Sequence, residues 1–80
     1  MDNPMKDLIE YIVQAIVDNP EQVQIAEITG QQSTVFELRV AKTDMGKVIG
    51  KKGRNINAIR TILQCTSAAA GKRTILELIE

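Results

Sequence analysis

Histidine and tryptophan are missing from the 80 residues, cysteine occurs once, and the only aromatic side chains are Tyr11 and Phe36. With no histidine and Cys65 alone, there is neither a Cys/His donor set for zinc nor a partner for an internal disulfide. Catalysis through an imidazole is excluded on the same ground, and the carboxylates are scattered without an evident pair. An enzyme is therefore not expected, nor is any cofactor. No apolar run approaches the roughly 20 residues that cross a bilayer. The opening Met1-Asp-Asn-Pro-Met-Lys6 lacks a basic stretch, so a secretory leader is not expected and a cytoplasmic protein is. Two rings, both outside the glycine-rich centre of the chain, are too few for a surface that stacks nucleobases.

What the chain does have is charge sorted by position. Residues 1–38 carry Lys6 against seven acids, whereas residues 39–60 carry seven bases against Asp44 alone. The formal net charge of zero thus hides a basic segment on an otherwise acidic or balanced chain. Such a patch supports anion binding, and the neutral total argues against indiscriminate adhesion to nucleic acid.

The periodicities predict one compact α+β layer in the order α-β-β-α-α-β. Asn3-Pro4 reads as a cap and first turn, followed by Met5, Leu8, Ile9, Ile12, Val13, Ile16 and Val17 at helical spacing over residues 4–18. Residues 22–29 suggest a strand whose alternation slips after Ile25, as at a bulge. Gly30 to Ser33 forms the hairpin loop, and Phe36, Leu38 and Val40 alternate with polar residues in a second strand, antiparallel to the first. Thr43 or Asp44 is placed to cap a short helix, Met45 to Ile49. A longer helix from about Gly53 to Ala70 would bury Ile56, Ile59, Ile62, Leu63 and Thr66, with Ala58, Cys65 and Ala69 filling in. The near-continuous apolar run Thr74–Ile79 suggests a central or doubly covered strand, parallel to the second.

Between the two central helices stands Gly50-Lys51-Lys52-Gly53-Arg54. Glycines could serve there merely to end one helix and begin the next. The two lysines are not needed for that, and Arg54 puts a cation at the positive end of a helix dipole, a conflict that a bound anion relieves. Phosphate is the natural anion. A mononucleotide loop would need four residues between its glycines and then Lys-Ser/Thr, but Gly46 and Gly50 enclose three, and Lys51 is followed by Lys52. The dinucleotide fingerprint fails at Val48. A polymer backbone remains.

Val48-Ile-Gly-Lys-Lys-Gly-Arg-Asn-Ile-Asn-Ala-Ile-Arg60 resembles the signature of a KH domain, and the leading α-β-β resembles the type II order, with three helices on one face of a three-stranded sheet. Since the likeness spans residues 1–80 as one domain, with helix 4–18 ahead of a core at about 34–79, the chain is similar to the small single-KH bacterial RNA-binding proteins of the KhpA family. The resemblance implies that Gly50, Lys51, Lys52, Gly53 and Arg54 clamp the backbone of about four unpaired nucleotides of single-stranded RNA. It implies a base groove between the two central helices and the final strand, involving Val48, Ile49, Ile56 and Asn57, with flanking phosphate contacts from Lys47, Arg60, Lys72 and Arg73. It further implies pairing with a larger multidomain KH protein of the KhpB type, and a role as RNA chaperone or post-transcriptional regulator bearing on cell shape and cell-wall biogenesis.

Two other readings fit the residues. A short helix, tight turn and basic second helix loosely match a DNA-binding helix-turn-helix, although the flanking strands and paired glycines weigh against it. A KH fold used purely for protein association is the other, since the aliphatic second central helix would permit a homodimer.

Overall fold

The structure, a computed structural model, describes residues 4–71 and 73–80, with backbone alone for 67–70. Helix α1 (Pro4–Ile16) and a single 3-10 turn (Pro20–Gln22) lead into strands β1 (Gln24–Thr29) and β2 (Ser33–Arg39). A second 3-10 turn (Lys42–Asp44) runs into α2 (Met45–Ile49), a third (Lys51–Gly53) into α3 (Arg54–Ala70), and β3 (Arg73–Leu78) closes the chain. The order is the expected α-β-β-α-α-β. Asn3, Lys72 and the Ala69 side chain lie outside the described residues. Among the described residues, no helix is long and apolar enough to cross a membrane.

The sheet runs β1-β2-β3, with β1 antiparallel and β3 parallel to the middle strand. Alternation on β2 turns Thr34, Phe36 and Leu38 inward, where all three are buried. Ile9 and Val13 of α1, Val48 of α2, and Ile56, Ile59 and Leu63 of α3 join Phe36 and Leu38 in one cluster, with Leu76 from β3. Each fully buried large side chain contributes roughly 1.5–3 kcal/mol of transfer free energy. Among the described residues, no helix covers the opposite face of the sheet.

Four expectations need correcting, each for a physical reason. The first strand has no bulge: its register is unbroken from Gln24↔Arg39 to Thr29↔Thr34. The alternation slips because Ile25 faces the helices while Ile28, 53% exposed, faces away from them. β3 is an edge strand rather than a central one; its run looks continuous because Ile75 sits on the open face between inward-turned Thr74 and Leu76. On α3, residues 56, 59, 63 and 66 form one stripe and 58, 62 and 65 another, and only the first meets the sheet. Ala58, Ile62 and the Cys65 thiol, all expected inside, are exposed.

The fourth concerns Asp44, which makes no side-chain cap for α2. Its buried carboxylate turns back to the end of α1 instead, accepting the Asp18 amide at 3.2 Å, the Asn19 amide at 3.0 Å and Asn19 Nδ2 at 3.0 Å. Those bonds divert the backbone at residues 18 and 19, so α1 ends at Ile16, short of the expected 18. Three donors make the burial of a charge tolerable.

Burial alone would raise the Asp44 pKa, but the Asn19 side chain, the amides of Asp18 and Asn19, and the charge of Lys47 outweigh it and hold the carboxyl below its ordinary 3.8. A carboxylate with a depressed folded pKa stabilises fully above its unfolded value and loses that contribution as pH falls through the folded one. Asp44→Asn should therefore lower the melting temperature at neutral pH. Thermal melts carried into the acid range should show the gap to the parent closing below about pH 3.8.

Candidate nucleic-acid interface

The turn between α2 and α3 is built from left-handed backbone. Gly50 (φ 76°) ends α2 with its amide donating to the Gly46 carbonyl at 2.9 Å, and Gly53 (φ 75°) precedes Arg54. Between them Lys52 also has a positive φ, 57°. That conformation is uncommon outside glycine and costs a non-glycine residue roughly 1–2 kcal/mol. The Gly53 amide donates to the Gly50 carbonyl and the Arg54 amide to that of Lys51. The amides of Lys51 and Lys52 stand at the start of this single turn. Both lysine side chains are exposed, as is Arg54 at the start of α3.

Asn55 explains why the bend has this shape. Its Nδ2 donates to the Lys47 carbonyl at 2.8 Å, satisfying an acceptor near the C-terminal end of α2. Its own backbone lies against Gly50, where an added Cβ would stand 2.6 Å from Asn55 Cγ and 2.8 Å from Asn55 N. Sequence reasoning placed no role on Asn55. Nothing in its spacing betrays one, because the contact exists only once Gly50 has turned left-handed.

Of the other residues expected at the site, Ile49 and Asn57 are exposed, but Val48 is fully buried and Ile56 nearly so. Those two belong to the core, since both sit on the stripes that face the sheet, and Val48 offers no groove surface. Lys47 is at the surface but ion-paired with Asp18, just past the end of α1. Asp18, a second residue with no expected role, was hidden among the acids of the first half. Arg60 reaches across from α3, donating from Nε and Nη2 to the Leu76 carbonyl on β3 at 3.4 and 3.3 Å.

Two concavities lie beside the central helices and the end of the chain. One of about 230 Å³ lies between α3 and β3, lined by Arg60, Leu63, Gln64 and Arg73 among others. The second, of about 460 Å³, is lined by Met45 and Ile49 of α2 with Val40, Lys42, Ile79 and Glu80. Its size falls in the range of ligand pockets, ~300–1,000 Å³, and its lining puts Ile49 on an accessible wall. Among the described residues, no His, Cys, Asp or Glu group could hold a metal ion.

Two alanine substitutions separate the glycine that shapes the turn from one that does not. Gly46 is helical with nothing within 4 Å of an added Cβ, so Gly46→Ala should raise stability by about 0.5–1 kcal/mol. Gly50→Ala should lower it by more than that, through left-handed strain and overlap with Asn55. Chemical denaturation of the two variants checks both signs.

The model of the KhpA/KhpB KH-domain family matches residues 6–78. The RNA-binding protein KhpA of Clostridium acetobutylicum is 49% identical over 75 residues, 94% of this chain and all of that protein. Those of Chlamydia caviae and Aquifex aeolicus are 46% and 45% identical over 76 residues, 95% of this chain and 97% and 96% of theirs. No solved structure matches. A helix–turn–helix core carried on this α-β-β-α-α-β sheet, a family match across nearly its whole length and relatives close to half identical make the chain a member of the KhpA/KhpB KH-domain family.

Proposed function

We propose that the chain binds single-stranded RNA, with the Gly50–Arg54 turn gripping the sugar-phosphate backbone. The observation that carries this reading is the turn itself: two exposed lysines between left-handed Gly50 and Gly53, Lys52 left-handed as well and strained, at the start of a helix that opens with Arg54. Strain held at an exposed cationic turn is accounted for by a ligand that needs it. The relatives named as RNA-binding proteins support the same reading. Ile49 and Asn57, both exposed, are the residues that would meet bases, and Arg60 and Arg73 on the α3–β3 side would take flanking phosphates. Paired strands on both flanks of the helices speak against a duplex-reading helix-turn-helix.

Association belongs to the same proposal. Ala58, Ile62 and Cys65 leave an aliphatic stripe of α3 in solvent, which suits a partner helix such as that of a larger KhpB-type protein. Action as an RNA chaperone or post-transcriptional regulator in the cytoplasm, with consequences for cell shape and cell-wall synthesis, is the furthest reach of this reading and rests on family resemblance.

Titration with an unpaired oligoribonucleotide over a salt series tests the clamp. For three to four neutralised phosphates the log–log slope should be about −2 to −3. Lys51→Asp with Lys52→Asp should abolish binding while the melting temperature stays close to the parent's; binding that survives with the same slope would overturn the clamp. In the same assay Asp18→Asn should release Lys47 for a phosphate. The slope should then steepen by about 0.7 and affinity rise by up to about fivefold, the scale of an exposed ion pair.

A further inference from the structure

The larger of the two concavities has walls from three stretches that the fold brings side by side. β2 and β3 are parallel, so the residues that follow them leave the sheet at the same end, where the Ile79 amide donates to the Leu38 carbonyl at 2.8 Å. Val40 and Lys42 come from the segment after β2, and Ile79 and Glu80 from the segment after β3. Met45 and Ile49, four residues apart on α2, share one face of that helix and close the remaining side. The cavity of about 460 Å³ thus has an apolar body, with a thioether in its wall that suits the face of a π-system. Two charges stand on its lining, Lys42 and Glu80, both exposed. They do not pair with each other, since the ion pair found among the described residues is Lys47 with Asp18. Ile49 directly precedes Gly50, so the cavity adjoins the glycine turn.

An aliphatic slot with one ammonium and one carboxylate, next to a turn that grips the sugar-phosphate chain, suits a nucleobase. The edges of the four bases decide which. A carboxylate only accepts hydrogen bonds, and two donors side by side satisfy both of its oxygens. Guanine alone offers that pair, N1–H and N2–H2, and its O6 stands beside them as an acceptor for an ammonium. Adenine sets its amino group beside the acceptor N1, cytosine beside N3, and uracil flanks its N–H with two carbonyls. Each of these three turns a lone pair towards the carboxylate, so Glu80 favours guanine by repulsion of the others as well as by its own bonds. We infer that the cavity is a guanine-selective base pocket. Glu80 accepts from N1–H and N2–H2, Lys42 donates to O6, and Val40, Met45, Ile49 and Ile79 hold the ring. This inference rests on RNA binding at the Gly50–Arg54 turn and adds to it a choice of base.

Short uridine oligomers in which one central position is varied test it. Fluorescence anisotropy should rank guanosine at that position about tenfold above adenosine, cytidine or uridine, the scale of one bidentate base contact. Inosine, which lacks the N2 amino group, should lose most of that advantage. Glu80→Ala should erase the guanosine preference. Lys42→Met should lower affinity for the guanosine oligomer more than for the other three. Both side chains are exposed, so neither change touches the core. Oligomers bound alike whatever their central base, or a guanosine preference that survives Glu80→Ala, would overturn the pocket and leave the clamp standing. A parent that binds none of the oligomers would overturn the clamp and the pocket together.

Discussion

The close approach of Gly50 to Asn55 governs the geometry on which the interface depends. With a Cβ at position 50 barred by atoms 2.6–2.9 Å away, only glycine lets the chain double back there. Asn55 uses that closeness to tie α3 to the last turn of α2 through the Lys47 carbonyl. In the bend that results Lys52 takes a left-handed conformation and both lysines face solvent. A structural turn would relax that strain with another glycine or an asparagine. A lysine held there despite the strain supports the proposed use of its charge.

A second tie, from Asp44, sets where the turn stands relative to the rest of the molecule. The Asp44 carboxylate gathers the end of α1 onto the start of α2, and Asp18 extends the same junction to Lys47. The acidic first half and the basic centre of the chain, far apart in sequence, meet at this seam. The acidic half therefore does more than solvate a face: it holds one of the cations that border the turn, while Lys51, Lys52 and Arg54 take part in none of the ion pairs found among the described residues.

Much of this was legible in the residues. Gly50 and Gly53 announce their positions because left-handed backbone has few other tenants, and the α1 and β2 stripes follow from elementary periods. What escaped depends on contacts remote in sequence. Asp44 reads as a local cap, yet its partners lie 25 and 26 residues away. The α3 sequence carries two apolar stripes of similar spacing, and only the packed sheet decides that Ile59 is inside and Ile62 outside. The apolar run of β3 is ambiguous for a like reason, since strand order depends on pairing and not on composition. Val48 was misplaced because a motif shows which residues recur together, not which of them face inward.

Backbone amide spectra recorded during titration with short unpaired oligoribonucleotides test the central claim most directly, because they report whether contact occurs and where. The largest perturbations should fall on Gly50 through Arg54 and spread to their neighbours between Lys47 and Asn57. Spectra that stay unchanged, or that shift everywhere except this stretch, would contradict the account.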